Sequence, residues 1–378
     1  MALTGRRHGP PRAAPGAPAR FVQAALERAR IATAQRTGES PTLPDVRLLG
    51  ERAAAAGFAR NGPWSCGGAF RAVPTVDGWF GLSMARPSDV ELVPALTGAR
   101  AVRDPWDTVE RWAAGTTMRD AADLGRLLGM ACCELPRHPA RHRPGVVRSE
   151  GATRHLPERP KVLDLTALWA GPLCAHLLGL GGAQVTKVES TGRPDGARLG
   201  PASFFDLLHG RHDFVSIDFG SARGIAQLRD LIESSDLVLE ASRPRGLLQL
   251  GIVAEEYVDA GTIWLSITAQ GRNHNVIGFG DDVAAGAGLY LVDHDDVLPC
   301  GDALADPLAG VAAAAAASEA LLEPRSCLLD VSMDAVGREA AAGEVEPHRV
   351  ERRGDSWWVE CSTGRHRIEN PRERTPGG

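Results

Sequence analysis

No stretch of this sequence is apolar for long enough to cross a membrane, and the amino terminus, MALTGRRHGPPRAAPGAPAR, lacks the apolar core of a secretory leader. A soluble, cytoplasmic protein is the expectation. Paired cysteines are missing too: the seven cysteines, at positions 66, 132, 133, 174, 300, 327 and 361, are scattered with no CxxC pair. That spacing points away from a disulfide framework or a zinc site and toward reduced thiols, so no metal is expected. Nor is there an excess of positive charge. A net charge of −5 and a pI near 6.1 give no footing for nucleic acid, though a local positive patch would suffice for a small polyanion. The three spaced glycines that let a dinucleotide pyrophosphate approach a helix are also absent, which disfavours a nucleotide-dependent oxidoreductase.

What is present is a chain of 378 residues, 43% hydrophobic and 24% charged, large enough for two ordinary domains. It is organised around Lys161 to Ser190, KVLDLTALWAGPLCAHLLGLGGAQVTKVES. Val162, Leu163 and Leu165 form a short apolar run, Gly171-Pro172 breaks it, and Leu173 to Leu180 is apolar nearly all round before Gly181-Gly182. Gln184 to Val188 then alternates. A helix apolar on most faces must be buried, and a parallel strand pair with a helical crossover buries one. Further strands are expected at Phe214–Ile217, Asp236–Glu240 and Ile263–Ile267, with a helix capped by Ser221 between the first two. The fold class expected is α/β, an open doubly wound, mostly parallel, Rossmann-like sheet.

Around that core, residues 1–58 read as a flexible tail followed by an amphipathic helix from Phe21 to Gln35, with Phe21, Ala25, Leu26 and Ile31 on one face. Residues 59–135 read as a smaller α+β domain. There Phe70–Val73 and Trp79–Leu82 are strands, and a helical pattern runs from Asp89 to Leu135. Asp104-Pro105 is a helix start, an N-cap followed by proline at the first position. Residues 136–160, rich in proline and arginine, read as a solvated linker. Residues 161–340 read as the main unit of alternating strands and helices, and 341–378 as a polar tail with a small hairpin.

The stretch Cys300 to Glu323, CGDALADPLAGVAAAAAASEALLE, repeats the helix-start pattern at Asp306-Pro307 and continues through a run of alanines. Gly310, one turn later, leaves space above the Asp306 carboxylate. Such a carboxylate, stabilised in its ionised form by the helix dipole, suits a nucleophile; taken locally, the same pattern is satisfied by a helix cap. Asp302 is the neighbouring acid that could be confused with it.

LDL followed by AGP, a helix and GAxVxKVE resembles the opening of the family III CoA-transferases, which are related to α-methylacyl-CoA racemase. The resemblance covers roughly residues 60 to 340. It implies transfer of CoA from an acyl-CoA to a carboxylic acid, with Asp306 attacking the thioester and an aspartyl-CoA intermediate following. It also implies CoA contacts at Trp169, Ala170 and Gly171 in the first turn, at His209 and His212, and at Ser242 and Arg243 after a strand, in a segment like the family's ENxRPG. CoA is then a substrate, and no metal or redox cofactor is called for. A homodimer is implied, with the smaller domain placed before the nucleotide half in permuted order. Lys187 and Glu189 match family positions and could pair with each other. The racemases carry a histidine where this chain has Phe279, which cannot shuttle a proton. Asp281 and Asp282 follow, as caps of the next helix or as a displaced acid-base group. A noncatalytic CoA-thioester binding protein is the alternative of another class.

Overall fold

The computed structural model describes residues 1–135, 144–242 and 245–373. It begins with α1 (Pro18–Thr37) and α2 (Glu51–Ala56), followed by β1 (Phe70–Pro74), β2 (Trp79–Ser83), α3 (Pro87–Glu91), α4 (Val93–Thr97), α5 (Pro105–Ala113), α6 (Met118–Leu127) and β3 (Ala131–Leu135). Next come β4 (Val146–Thr153), β5 (Lys161–Asp164), α7 (Ala170–Leu180), β6 (Gln184–Ser190), α8 (Ala202–His209), β7 (Asp213–Ile217), α9 (Ala222–Glu233) and β8 (Leu237–Glu240). The rest is α10 (Arg245–Leu248), α11 (Ala254–Asp259), β9 (Ile263–Thr268), α12 (Gly280–Gly286), β10 (Tyr290–Asp293), β11 (Asp296–Pro299), α13 (Ala305–Ala320), β12 (Arg325–Ser332) and α14 (Met333–Ala341), closing with β13 (Arg349–Arg353), β14 (Ser356–Cys361) and β15 (Gly364–Ile368).

The architecture is α/β, built on a seven-stranded sheet of order β4-β12-β9-β8-β5-β6-β7 in which only the β4–β12 pairing is antiparallel. Its central strands are continuous apolar runs because helices cover both faces. Leu163, Val238 and Trp264 pack toward α9 and α11, while Val162, Leu237, Leu239 and Leu265 pack toward α7 and α13. The chain leaves β5 outward through β6 and β7, then returns to pair β8 on the other side of β5. That reversal opens a crevice at the carboxyl ends of β5 and β8, where sheets of this kind take ligands.

Helix α13 explains the alanine run. It lies against both α1 and α7 and touches α14, and nearly every residue from Ala305 to Ala320 is buried, so only small side chains fit on most of its surface. The buried face of α1 is Val22, Ala25, Leu26, Ala29 and Ala32; Ile31, expected on that face, points to solvent.

Three expectations are corrected. Residues 1–20 are not a free tail: Leu3 and Thr4 are buried, Thr4 Oγ1 accepts the Gly301 N–H at 3.0 Å, and Arg6 is paired with Asp293 at 2.5 Å and Asp296 at 2.8 Å. The helical pattern from Asp89 stops short of Leu135, since Ala131–Leu135 is the third strand of the small sheet. Of the stretch 136–160 expected to be a linker, residues 136–143 lie outside the described residues, and Val146–Thr153 is the edge strand of the large sheet. Its polarity belongs to that edge: Arg148 reaches Glu323 at 2.5 Å and Glu150 at 2.7 Å, charges that guard an open edge against further pairing. The carboxyl-terminal hairpin is present as the three-stranded meander β13-β14-β15.

Candidate active site

At the end of β5 the chain turns sharply into α7. Asp164 Oδ1 accepts from the Thr166 N–H at 2.9 Å and from its hydroxyl at 2.5 Å, and Leu168, held at φ +70°, gives its N–H to Asp195 Oδ1 at 2.9 Å. Gly171 is required here because a Cβ would collide with the Thr166 side chain. Trp169 is the N-cap residue of α7. Its ring is buried edge-on to Phe204 with centroids 5.4 Å apart, and its indole N–H has no hydrogen-bond partner among the described residues.

Beneath this turn Lys187 is fully buried, yet its partner is not Glu189 as the sequence allowed. The ammonium donates to the Thr166 carbonyl and lies 3.1 Å from Asp195 and 3.5 Å from Asp164. Glu189 instead holds Arg198 at 2.7 Å and the Asp195 N–H at 2.8 Å. Arg198 stacks on Phe205 at 4.2 Å and Phe214 at 5.5 Å, a cation at the rim that sequence reasoning did not single out. His209 and His212 face each other with their Nδ1 atoms 3.2 Å apart. Burial, reinforced by the Lys187 charge, pushes His209 down to about 4, so it is neutral at pH 7; burial also lowers His212. Asp164, His209 and His212 bring possible ligand atoms within 4.8 Å of one another. Lys187 already supplies a positive charge between Asp164 and Asp195, so a divalent ion would be repelled there. The two histidines thus belong to a polar network that underpins the crevice.

Across the crevice, Ser242 donates to Glu240 Oε2 at 3.3 Å, and Glu240 Oε1 accepts from Ser266 at 2.5 Å and Arg272 at 2.7 Å. Arg243 lies outside the described residues.

Asp306 departs from its expected role. Helix α13 starts one residue earlier, at Ala305 with Leu304 as N-cap, so Asp306 sits inside the first turn and is not the cap. The preceding turn explains this: Ala303, at φ +43°, gives its N–H to Asp281 Oδ1 at 2.9 Å and takes the Asp306 N–H on its carbonyl at 2.9 Å. Freed from capping, the Asp306 carboxylate accepts the N–H of Gly280, the first residue of α12. Gly280 has to be glycine, since a Cβ would stand 2.5 Å from Asp306 Oδ2 and against the Ala303 carbonyl. Gly310 does not leave space above the carboxylate, as expected from the sequence. A Cβ there would meet the Ala170 carbonyl at 2.7 Å and Leu173 Cβ at 3.1 Å, so Gly310 lets α13 dock on the Trp169–Ala170 turn. The same contact brings the α7 turn and the Asp306 turn together.

Asp302, the neighbouring acid, is fully buried and held by a residue that sequence reasoning missed. Arg52 of α2 donates through Nε to Asp302 Oδ2 at 3.0 Å and through a second N–H to Oδ1, a forked pair. Its guanidinium lies over the Trp169 ring at 5.6 Å and the Phe58 ring at 5.9 Å. No local signal marks Arg52, which sits in the alanine-rich run ERAAAA.

Besides Asp302, three carboxyls are enclosed along α12 and the first turn of α13. Burial first, then the nearby Asp302 charge, pushes Asp281 up to about 6. Asp282 is pushed up to about 7 by burial although it accepts from Ser83 Oγ at 2.8 Å and the Phe279 N–H at 3.0 Å; it is the α12 cap the sequence allowed. Asp306 keeps part of its residue surface but its carboxyl group is enclosed, and burial, opposed by Arg52 and helped by Asp281 and Asp302, lifts it to about 7. Asp282 spends its carboxyl on the α12 cap and Ser83, whereas the Asp306 carboxyl, equally raised, caps no helix and faces the Gly280 N–H. Phe279 presents its ring to Arg86 at 5.5 Å.

Residues 159–333 match the family model described as CoA-transferase family III. Over 184 residues the chain is 31% identical to succinyl-CoA–D-citramalate CoA-transferase of Chloroflexus aurantiacus, covering 44% of this chain and 46% of that one. Over 183 residues it is 29% identical to succinyl-CoA:glutarate CoA-transferase of Mus musculus, covering 44% of this chain and 42% of that one. The chain thus spans less than half the length of these curated relatives. A hypothetical protein from Mycobacterium tuberculosis, solved as a crystal structure, superposes with a TM-score of 0.48 at 26% identity, over 57% of this chain and 65% of that chain. The matched segment, a little under half of the chain, contains the Trp169 turn, Gly280 and Asp306, and it is this segment that is similar to CoA-transferase family III.

Proposed function

We propose that the protein is a CoA-transferase that moves CoA from an acyl-CoA thioester to a carboxylic acid, with Asp306 as nucleophile. The observation that carries this reading is the Asp306 carboxyl: released from capping, facing the Gly280 N–H, and lifted to about 7. An Asp306 oxygen bonds to the acyl carbon, the C–S bond breaks, and CoA leaves as thiolate. The thiolate attacks the aspartyl carbonyl of the resulting anhydride, expelling the donor acid as a carboxylate and leaving an aspartyl-CoA thioester. The acceptor carboxylate then attacks that thioester, freeing CoA thiolate and forming a second anhydride. Attack of the thiolate on the acceptor acyl carbon gives the new acyl-CoA and restores the Asp306 carboxylate.

The CoA site in this reading is the crevice between β5 and β8. Trp169, Ala170 and Gly171 at the start of α7 offer backbone to the CoA, and Ser242 follows β8 on the facing side, with Arg243 next in the sequence as the residue proposed to contact phosphate. His209 and His212 support the floor. A racemase reading is disfavoured because Phe279 offers hydrocarbon where that chemistry needs a base. Residues 59–135 as a smaller domain, a homodimer and a cytoplasmic location complete the proposal.

The test is incubation with a panel of acyl-CoA donors and carboxylic acids, followed by mass-spectrometric detection of a new acyl-CoA. A new thioester formed at the donor's expense supports transfer. Binding of acyl-CoA with no new thioester across a broad panel selects the noncatalytic binding protein instead.

A further inference from the structure

We infer that Arg52 is a positioning residue for Asp306: a counter-cation that the amino-terminal segment supplies to the site of the family domain. Arg52 lies outside residues 159–333, yet its guanidinium is fixed by contacts within that domain, the forked pair to Asp302 and the face of Trp169, with Phe58 on a further side. The turn it reaches is crowded with acids. Asp302 opens the turn into α13, Asp281 takes the N–H of Ala303 inside it, and Asp306 follows one turn after Asp302.

The charged groups facing Asp306 are Arg52 from α2, Asp281 from α12 and Asp302 from its own turn. Cys66, from the loop before β1, faces Asp302 and Asp281, and burial holds it as a neutral thiol. Where Gly310 of α13 meets α7, the nearest α7 groups are the Ala170 carbonyl and the Leu173 side chain, which carry no charge. Among the described residues, Arg52 is the positive group that faces this set of enclosed carboxyls. Like charges so close cannot all ionise unaided, and the guanidinium, which never loses its proton, sets how many do. Arg52 engages Asp302 directly and acts on Asp306 through the field between them, so its effect is on ionisation and not on bonding to substrate.

The catalytic consequence rests on the nucleophile reading of Asp306; the ionisation itself does not. Both are separated by titrating Asp306 in protein labelled with 13C at the aspartate carboxyls, with D306N to assign its signal, in the full chain and in the R52Q, R52K and D302N variants. R52Q is expected to raise the Asp306 midpoint by about one pH unit or more, R52K to leave it within about half a unit, and D302N, which frees the guanidinium, to lower it. Opposite movement in R52Q and D302N is a signature that a purely structural role would not give. Should R52Q not fold, R52M, which keeps apolar contact with Trp169 and Phe58, takes its place with the same expected rise. An Asp306 midpoint that is the same in all variants overturns the inference. Normal titration shifts with no acyl adduct in the unmodified protein would leave the inference standing and sink the nucleophile reading.

Discussion

Two helix starts in this chain carry the same dipeptide, Asp104-Pro105 and Asp306-Pro307, and the fold treats them in opposite ways. Asp104 precedes its helix, with extended backbone, and its side chain accepts the Asp107 N–H at 2.9 Å at an exposed site. Asp306 has been taken into the helix by a turn that began earlier, and its carboxyl faces another element under enclosing structure. At the first site a carboxylate lowers the free energy of the fold; at the second it is held where its charge is disfavoured. A motif states what an aspartate could do, and the backbone entering the helix decides which it does.

The largest difference should appear in activity. D306A is expected to lower CoA transfer by at least about a thousandfold, because the covalent route disappears, while D104A leaves the rate within about twofold. Rates for both variants with the same donor and acceptor check this. A second contrast is in pH. In the proposed route Asp306 must be ionised to attack, and burial lifts its carboxyl to about 7, so turnover should fall as the pH drops from 8 through 7 to 6. The pH profile of transfer under saturating substrate checks the sign.

Stability should separate the two sites next. G310V forces a side chain onto the Ala170 carbonyl and Leu173 and is expected to cost about 1–3 kcal/mol, read as a lowered denaturation midpoint. D306N should act in the other direction. In the unfolded chain Asp306 ionises in the ordinary carboxylate range, but in the fold only near 7, so the folded state is favoured below the lower value and loses that advantage as pH rises through 7. Asn removes this loss, so D306N should gain about 1–3 kcal/mol at pH 8 and little at pH 4. D104A, by contrast, should lose about 1 kcal/mol. Thermal or denaturant unfolding of both variants at the two pH values decides the matter.

The parts legible in the sequence are those written in local pattern. The strand, turn and helix from Lys161, the buried runs at Leu237–Leu239 and Ile263–Ile267, and the small residues of α13 all announce burial and periodicity. The Asp306-Pro307 helix start was visible in the same way, but by itself it read equally as a cap, and the nucleophile role came from the family resemblance. What escaped is set by contacts across the chain. Arg52 meets Asp302 from 250 positions away, and an alanine-rich helix gives no hint of that partner. The strand Val146–Thr153 was hidden because an edge strand with one wet face is written in charges. Lys187 and Glu189 looked like a pair by spacing, but Asp195 reaches both, its carboxylate to Lys187 and its N–H to Glu189, from a loop no pattern locates.

The most direct measurement is intact-protein mass spectrometry after mixing with an acyl-CoA donor, with hydroxylamine trapping and peptide mapping, on the full chain and on D306A and D104A. An adduct mapped to Asp306, present in D104A and absent in D306A, is the result the account predicts. A donor that transfers its CoA while Asp306 stays unmodified, or with D306A as active as the parent, would contradict it.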